Sequence, residues 1–188
     1  MGAAEAIARL RPLLLDVDRA AELEPPGALE SAVLVPLVVS GDELRLVVTR
    51  RRDDMRSHAG EYSFPGGRRD PGELSLVHTA LRETHEEIGI PAENIQLIGA
   101  LQPTATIATS FSLHAFVGIV PEGAARIAEP AEVAEVLELP LLELLASRKR
   151  DVLRRRDVSF RTTVYPVGER VIWGATARIL GDLADRLA

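Results

Sequence analysis

The strongest constraint on this chain lies between Gly66 and Ile90. There a glycine-rich loop, Gly66-Gly67-Arg68-Arg69-Asp70-Pro71-Gly72-Glu73, leads into a segment ending Arg82-Glu83-Thr84-His85-Glu86-Glu87-Ile88-Gly89-Ile90. The periodicity predicts a helix from about Ser75 to Ile88, with Ser75 as N-cap and Gly89 followed by Pro91 as the stop. At about 100° per residue, Glu86 lies about 60° to one side of Glu83 and Glu87 about 40° to the other. Three carboxylates therefore share an arc of roughly 100°. Val77, Ala80, Leu81, Thr84 and Ile88 fill the neighbouring arc and give the helix a core-facing stripe. Like charges so close destabilise a helix. Arg82 can offset part of that by reaching Glu86 at i+4, and a hard divalent cation offsets far more. A solvated acidic face is the plain reading of the carboxylates alone. The Gly-Gly turn beside them changes the balance, because glycine lets backbone come close to a ligand.

The rest of the chain fits one mixed α/β unit. Its 188 residues suffice for one ordinary domain, expected over residues 1–188, and no repeat or linker divides them. Helical spacing marks an N-terminal helix over about 4–15, and a closing helix is expected over about 175–187. Ser31 to Val39 and Glu43 to Thr49 read as a hairpin across Ser40-Gly41-Asp42. Residues 50–71 read as a long, functional loop with one short strand near Tyr62. Further strands are expected at 94–101, 113–120 and 132–139, a short helix at 141–147, a hairpin from 152–160 and 162–167, and a last strand at 170–173. Strands and helices mix without strict alternation, which predicts a mixed sheet with helices on both faces.

Composition excludes several functions. With no cysteine there is no disulfide, thiolate metal site or thiol nucleophile, and a reducing compartment is the natural setting. The first residues lack a secretory pattern, and no apolar run is long enough to span a membrane. The expected location is the cytoplasm. A net charge of −6 argues against nonspecific nucleic-acid binding.

The segment from Gly67 to Ile90 resembles the Nudix box: Gly, five residues, Glu, seven residues, then Arg-Glu-x-x-Glu-Glu-x-Gly and an aliphatic residue. Gly67, Glu73, Arg82, Glu83, Glu86, Glu87, Gly89 and Ile90 fill those places. One departure is an eighth residue between Glu73 and Arg82, which falls in the loop before the helix because Arg82 to Ile90 keep the usual spacing. Upstream, Thr49-Arg50-Arg51, Arg56, Gly60 and Phe64-Pro65-Gly66-Gly67 are similar to the motif of the coenzyme A pyrophosphatase branch. Val47-Val48 replaces a Leu pair there, and Arg52 stands where Ser or Ala is usual. Ile172-Trp173-Gly174-Ala175-Thr176-Ala177-Arg178 resembles the C-terminal segment of such enzymes.

The resemblance implies a Nudix-like α/β/α sandwich and hydrolysis of a pyrophosphate bond with Mg²⁺ or Mn²⁺. Glu83, Glu86, Glu87 and the Gly67 carbonyl are the implied metal ligands. Arg82 is implied to orient Glu86 or Glu73. The general base is open among Glu83, Glu129 and Glu132. Arg51, Arg56, His58, Gly66 and Gly67 are the implied substrate contacts, since guanidinium binds phosphate in a bidentate manner. Phe111 and Tyr165 are available to stack on adenine, although packing is the simpler role for each. Trp173 is expected to anchor the last helix. The implied substrate is coenzyme A or a thioester, giving 4′-phosphopantetheine and adenosine 3′,5′-bisphosphate, and family habit adds a homodimer. Competing readings are a Nudix hydrolase for ADP-ribose, NADH or another nucleotide, and a catalytically weak nucleotide-sensing or protein-interaction module. The intact Arg-Glu-x-x-Glu-Glu run speaks against the second.

Overall fold

A computed structural model describes residues 1–23, 29–55, 58–105, 111–124, 129–155 and 158–188. The Pro25-Pro26-Gly27 loop and Arg56 lie outside the described residues. The chain opens with α1 (Ala3–Leu10), a 3₁₀ turn (Arg11–Leu13) and α2 (Val17–Ala21). The single helix expected over 4–15 therefore stops early. Pro12 has no N–H to continue the ladder, and its ring crowds the preceding turn. The second helix starts at Asp16, whose carboxylate accepts the amides of Asp18 and Arg19, each at 3.1 Å.

β1 (Leu29–Ser40) and β2 (Glu43–Arg51) form the expected hairpin, paired from Leu37↔Leu46 to Ser40↔Glu43. Beyond that register the two strands part. The opening is filled by β3 (Tyr62–Ser63), which pairs with β2, and β4 (Gly66–Arg68), which pairs with β1. After α3 (Leu76–Ile88) come β5 (Gln96–Ala100), β6 (Thr104–Ala105) and β7 (Phe111–Val120). β7 runs parallel to β1 along ten paired positions, while the other pairs of this sheet are antiparallel, so the sheet is mixed. β8 (Val133–Pro140) joins the free edge of β2.

Side chains alternate across the sheet and build two cores. Val35, Leu37, Leu46 and Val48 face one side, with Leu10 of α1 and the helices α4 (Leu141–Ala146) and α5 (Gly174–Leu187). Ala32 and Leu34 face the other side and pack on Leu76 and Ala80 of α3 and Ala20 of α2. Val38 and Val47 extend that side toward Ile88. Helices thus cover both faces of a mixed sheet, as expected.

A second, three-stranded sheet follows: β9 (Lys149–Arg155), β10 (Val158–Val167) and β11 (Arg170–Ile172). The hairpin expected to turn between Phe160 and Thr162 turns earlier, after the Arg155↔Val158 pair. Arg154 and Arg155 pair with Ser159 and Val158 near the end of the hairpin, and Arg161 sits inside the strand opposite Val152.

Candidate active site

α3 brings the charged residues together. Ser75 accepts the His78 amide at its start, and Gly89, at φ 70°, closes its end. The buried face is Leu76, Thr79, Ala80, Thr84, Glu87 and Ile88, so one of the three predicted carboxylates points inward. Val77 and Leu81, expected on the apolar stripe, are only half-buried.

Arg82 ties the cluster together. Its Nε donates to Glu73 Oε1 at 2.8 Å, its Nη1 to Glu86 Oε2 at 2.8 Å, and its Nη2 lies 2.9 Å from Glu83 Oε1. The extra loop residue before the helix does not disturb the Glu73 pair. Glu73 also accepts the Thr79 hydroxyl at 2.7 Å and the Asp70 amide at 2.8 Å. Burial alone would push the Glu73 carboxyl up. Arg82 and these other donors outweigh it and hold the group near 2. The Arg82 guanidinium is correspondingly held above its usual range, chiefly by Glu73.

The other carboxylates have different surroundings. Glu83 is raised by burial, with Arg82 opposing. It packs against Gly67 so closely that a Cβ there would come within 2.3 Å of its Oε1. Gly66 has φ 156°, and a Cβ on it would meet the Ala32 carbonyl at 2.3 Å. Glycine at both positions is what lets β4 lie between β1 and α3. Glu86 is exposed and turned toward Arg82. Glu87 is only 5% exposed. Burial, then the nearby Glu83 charge, pushes its carboxyl up to about 8, with Arg51 opposing and Glu132 reinforcing. Its Oε2 has no hydrogen-bond partner.

A buried carboxylate with an unpartnered oxygen, beside a second carboxylate, needs either a proton or a cation. Glu87 and Glu83 could therefore hold a divalent ion next to Gly67. Arg82 engages one oxygen of Glu83 and one of Glu86, so both would have to share or leave that guanidinium to join the ion. Among the described residues, no three acidic or imidazole groups are already gathered into a cage.

Around this centre the predicted residues separate. Arg51 lies 3.9 Å from Glu132 and its buried Nε has no partner. The charge of Glu132 is felt by both Glu83 and Glu87. Glu129 joins the end of α3 through its backbone, its amide donating to the Glu87 carbonyl at 3.0 Å, but its carboxylate turns back to the Ala131 amide. Arg52 turns outward to Asp54 and the Pro130 carbonyl, so the arginine at a small-residue position leaves the site clear. His58 adopts φ 56°, unusual for a residue with a side chain, and its Nδ1 lies 2.9 Å from Glu61. His114 is a buried structural group: its Nδ1 lies 3.1 Å from the Ala20 carbonyl, and burial lowers its pKa.

Arg51, His58, Phe64 and Gly66 line one side of a cavity of about 580 Å³. The other side comes from the second sheet and α5, with Phe160, Trp173 and Arg178. Trp173 is half-buried here and shapes the cavity; its expected role was only to anchor the helix. Its ring centroid is 5.7 Å from that of Phe160 and 5.1 Å from Arg155 Cζ. Arg155 in turn pairs with Glu61 at 2.9 Å. Tyr165 is fully buried and cannot stack on a ligand. The side chain of Phe111 lies outside the described residues. Trp173 and Arg178 fall in the segment 172–178 already singled out by resemblance, but no local pattern announces Arg155 and Phe160, which join them only when β9–β11 dock.

Residues 29–161 match the NUDIX domain, and the chain belongs to the Nudix hydrolase family. Such enzymes act on nucleoside diphosphate derivatives and generally use divalent metal ions. A protein from Photorhabdus laumondii called uncharacterized Nudix hydrolase NudL is 38% identical over 159 residues, 84% of each chain. A protein of the same name from Yersinia enterocolitica is also 38% identical, over 84% of this chain and 80% of its own. Among solved structures, the NUDIX domain of Shewanella oneidensis NrtR, complexed with ADP ribose, aligns over the whole of both chains with a TM-score of 0.58 and 16% identity. A MutT/nudix family protein from Enterococcus faecalis aligns with a TM-score of 0.58 and 20% identity, over all of this chain and 70% of its own. At these identities the structural likeness shows the fold. Among the described residues no helix is long and apolar enough to cross a membrane.

Proposed function

We propose that the chain hydrolyses the pyrophosphate bond of coenzyme A or its thioesters in the cytoplasm, with Mg²⁺ or Mn²⁺. The products are 4′-phosphopantetheine and adenosine 3′,5′-bisphosphate. The observation that carries this reading is the placement of the segment similar to the coenzyme A motif. It runs from the end of β2 through β3 and β4, so one stretch of chain reaches from Glu87 to the 580 Å³ cavity.

Glu87, Glu83 and the Gly67 backbone would hold the cation, and Glu86 would complete the set were Arg82 to yield it. A bound divalent ion neutralises pyrophosphate oxygens and acidifies the attacking water. Arg51 places its unpartnered Nε beside that centre to bind a phosphate oxygen. Glu132 accepts the proton of the water as its oxygen attacks phosphorus. The bridging P–O bond breaks, and the leaving phosphate keeps the electron pair. Glu132 is preferred to Glu129, whose carboxylate is engaged by its own turn. His58 borders the cavity and orients substrate.

The test is product identification by mass spectrometry after incubation with Mg²⁺ or Mn²⁺ and coenzyme A, acetyl-coenzyme A, ADP-ribose, NADH or nucleoside triphosphates. Adenosine 3′,5′-bisphosphate from the coenzyme A samples, lost in Glu86→Gln/Glu87→Gln, is the expected result. Turnover of another nucleotide with coenzyme A intact would overturn the substrate assignment and leave the chemistry.

A further inference from the structure

Four arginines line the cavity with different obligations, and one of them, Arg161, is exposed on β10. Arg51 faces the carboxylates of Glu87 and Glu132 at the catalytic end. Arg155 is paired with Glu61 and packed on Trp173. Arg178 is exposed, and among the described residues it has no hydrogen bond or ion pair. It lies one turn beyond Gly174 on α5, and both residues line the cavity. Arg178, Thr162 and Gly174 also border an adjoining cleft of about 350 Å³, whose lining includes nothing from β1–β4 or α3. Arg178 therefore stands where the cavity adjoins this second cleft, on the wall made by β10 and α5. Trp173, with Phe160 beside it and Arg155 over its ring, adds aromatic surface to the same cavity.

A diphosphate at the carboxylate centre uses Arg51. A purine fits the aromatic surface, where stacking on Trp173 removes both from water. The free guanidinium on the same wall then meets whatever the nucleoside carries besides the diphosphate. We infer that Arg178 selects substrates bearing a phosphomonoester on the ribose, in addition to the diphosphate that is cleaved. Arg178 is a specificity residue supplied from outside residues 29–161, which match the NUDIX domain. This inference deepens the coenzyme A reading and rests on it only for the choice of ribose position: a 3′-phosphate there, a 2′-phosphate in a nicotinamide-type substrate.

The experiment is calorimetric titration of the intact protein, with Mg²⁺ present, using AMP, adenosine 3′,5′-bisphosphate and adenosine 2′,5′-bisphosphate. One bisphosphate should bind about tenfold or more tightly than AMP, as a charge-assisted phosphate contact implies. Arg178→Ala should erase that preference, and Arg178→Lys should restore part of it. A general folding defect weakens all three ligands alike and leaves their ratios unchanged, so the ratio is the readout. Equal affinity for AMP and both bisphosphates in the unmodified protein, or a preference that survives Arg178→Ala, overturns the inference. Because binding is read without turnover, failure to cleave coenzyme A would sink the substrate assignment and leave this result standing. A preference for the 2′-isomer would support the role of Arg178 and move the substrate to the other phosphate position.

Discussion

Glu73 and Glu87 are both nearly sealed from solvent, yet they titrate in opposite directions. Glu73 is surrounded by donors and Glu87 by other carboxylates. Glu73 is depressed from 4.5 to about 2 in the folded chain. Its stabilising contribution is therefore complete above pH 4.5 and is lost as pH falls from 4.5 toward 2. The linked free energy is on the order of 3 kcal/mol. Urea denaturation should show Glu73→Gln less stable than the unmodified protein by about 2–3 kcal/mol at pH 7, with the gap closing near pH 2. A gap that stays constant with pH would mean the ion pair with Arg82 contributes nothing. Glu87 is the reverse case, a carboxyl that burial makes costly to ionise. Glu87→Gln keeps its shape and removes the charge. Thermal scans without metal should therefore show no loss of stability. With Mn²⁺ added, the upward shift seen in the unmodified protein should vanish, and hydrolysis should fall by about a hundredfold or more. A retained Mn²⁺ shift would remove Glu87 from the metal site.

The opening between β1 and β2 is the element on which the site depends. The hairpin itself was legible, because an apolar run on each side of Gly41-Asp42 leaves little else for the chain to do. α3 was legible to its caps for the same reason: a local period and local stop signals. β3 and β4 were not, apart from a hint near Tyr62. They are two and three residues long and exist because the parting strands leave unpaired backbone that the segment 62–68 satisfies. The β9–β10 strands pair from Arg155↔Val158, short of the expected break at 160–162, because cross-strand pairing and not local apolar alternation decides where these strands meet. The two glycines of β4 differ in what they permit. Gly66→Ala forces a Cβ into the Ala32 carbonyl and strains the left-handed φ, so it should cost about 1–3 kcal/mol or more and lower the melting temperature. Gly67→Ala meets the end of a side chain, the Glu83 carboxylate. That group can move aside, so the fold should survive while metal-dependent hydrolysis is largely lost. Thermal scans paired with rate measurements separate the two, and equal losses of stability would refute the distinction.

At the scale of the molecule, the site is assembled from a local half and a distant half. Glu83, Glu86, Glu87, Arg82 and the glycines stand within one short stretch, and the sequence therefore displayed them together. The inward turn of Glu87 and the capture of Glu83 and Glu86 by Arg82 were not visible there, since both depend on how α3 rests on the sheet. The wall of Arg155, Phe160, Trp173 and Arg178 comes from far along the chain, and only the docking of the second sheet and α5 brings it to the motif loop. Glu61 is one link between the halves, beside the Thr176 hydroxyl that donates to the Tyr62 carbonyl. One of its oxygens meets His58 and the other meets Arg155, each at 2.9 Å, while Arg170 reaches the adjacent Gly60 carbonyl at 3.2 Å. Part-exposed ion pairs of this kind contribute roughly 0–1 kcal/mol to stability, so their removal should barely change the melting temperature. Their effect belongs to the shape of the cavity instead. Glu61→Gln frees Arg155 and the imidazole of His58, and a looser wall weakens the hold on substrate before it disturbs the phosphorus centre. KM should rise severalfold while kcat changes much less, a pattern expected when binding common to ground state and transition state is lost. Restoring the carboxylate one methylene shorter, as Glu61→Asp, should recover only part of the KM, because it cannot reach both partners at once. A fall in kcat with KM unchanged would instead place Glu61 in the chemistry, and a large drop in melting temperature would make it a structural anchor.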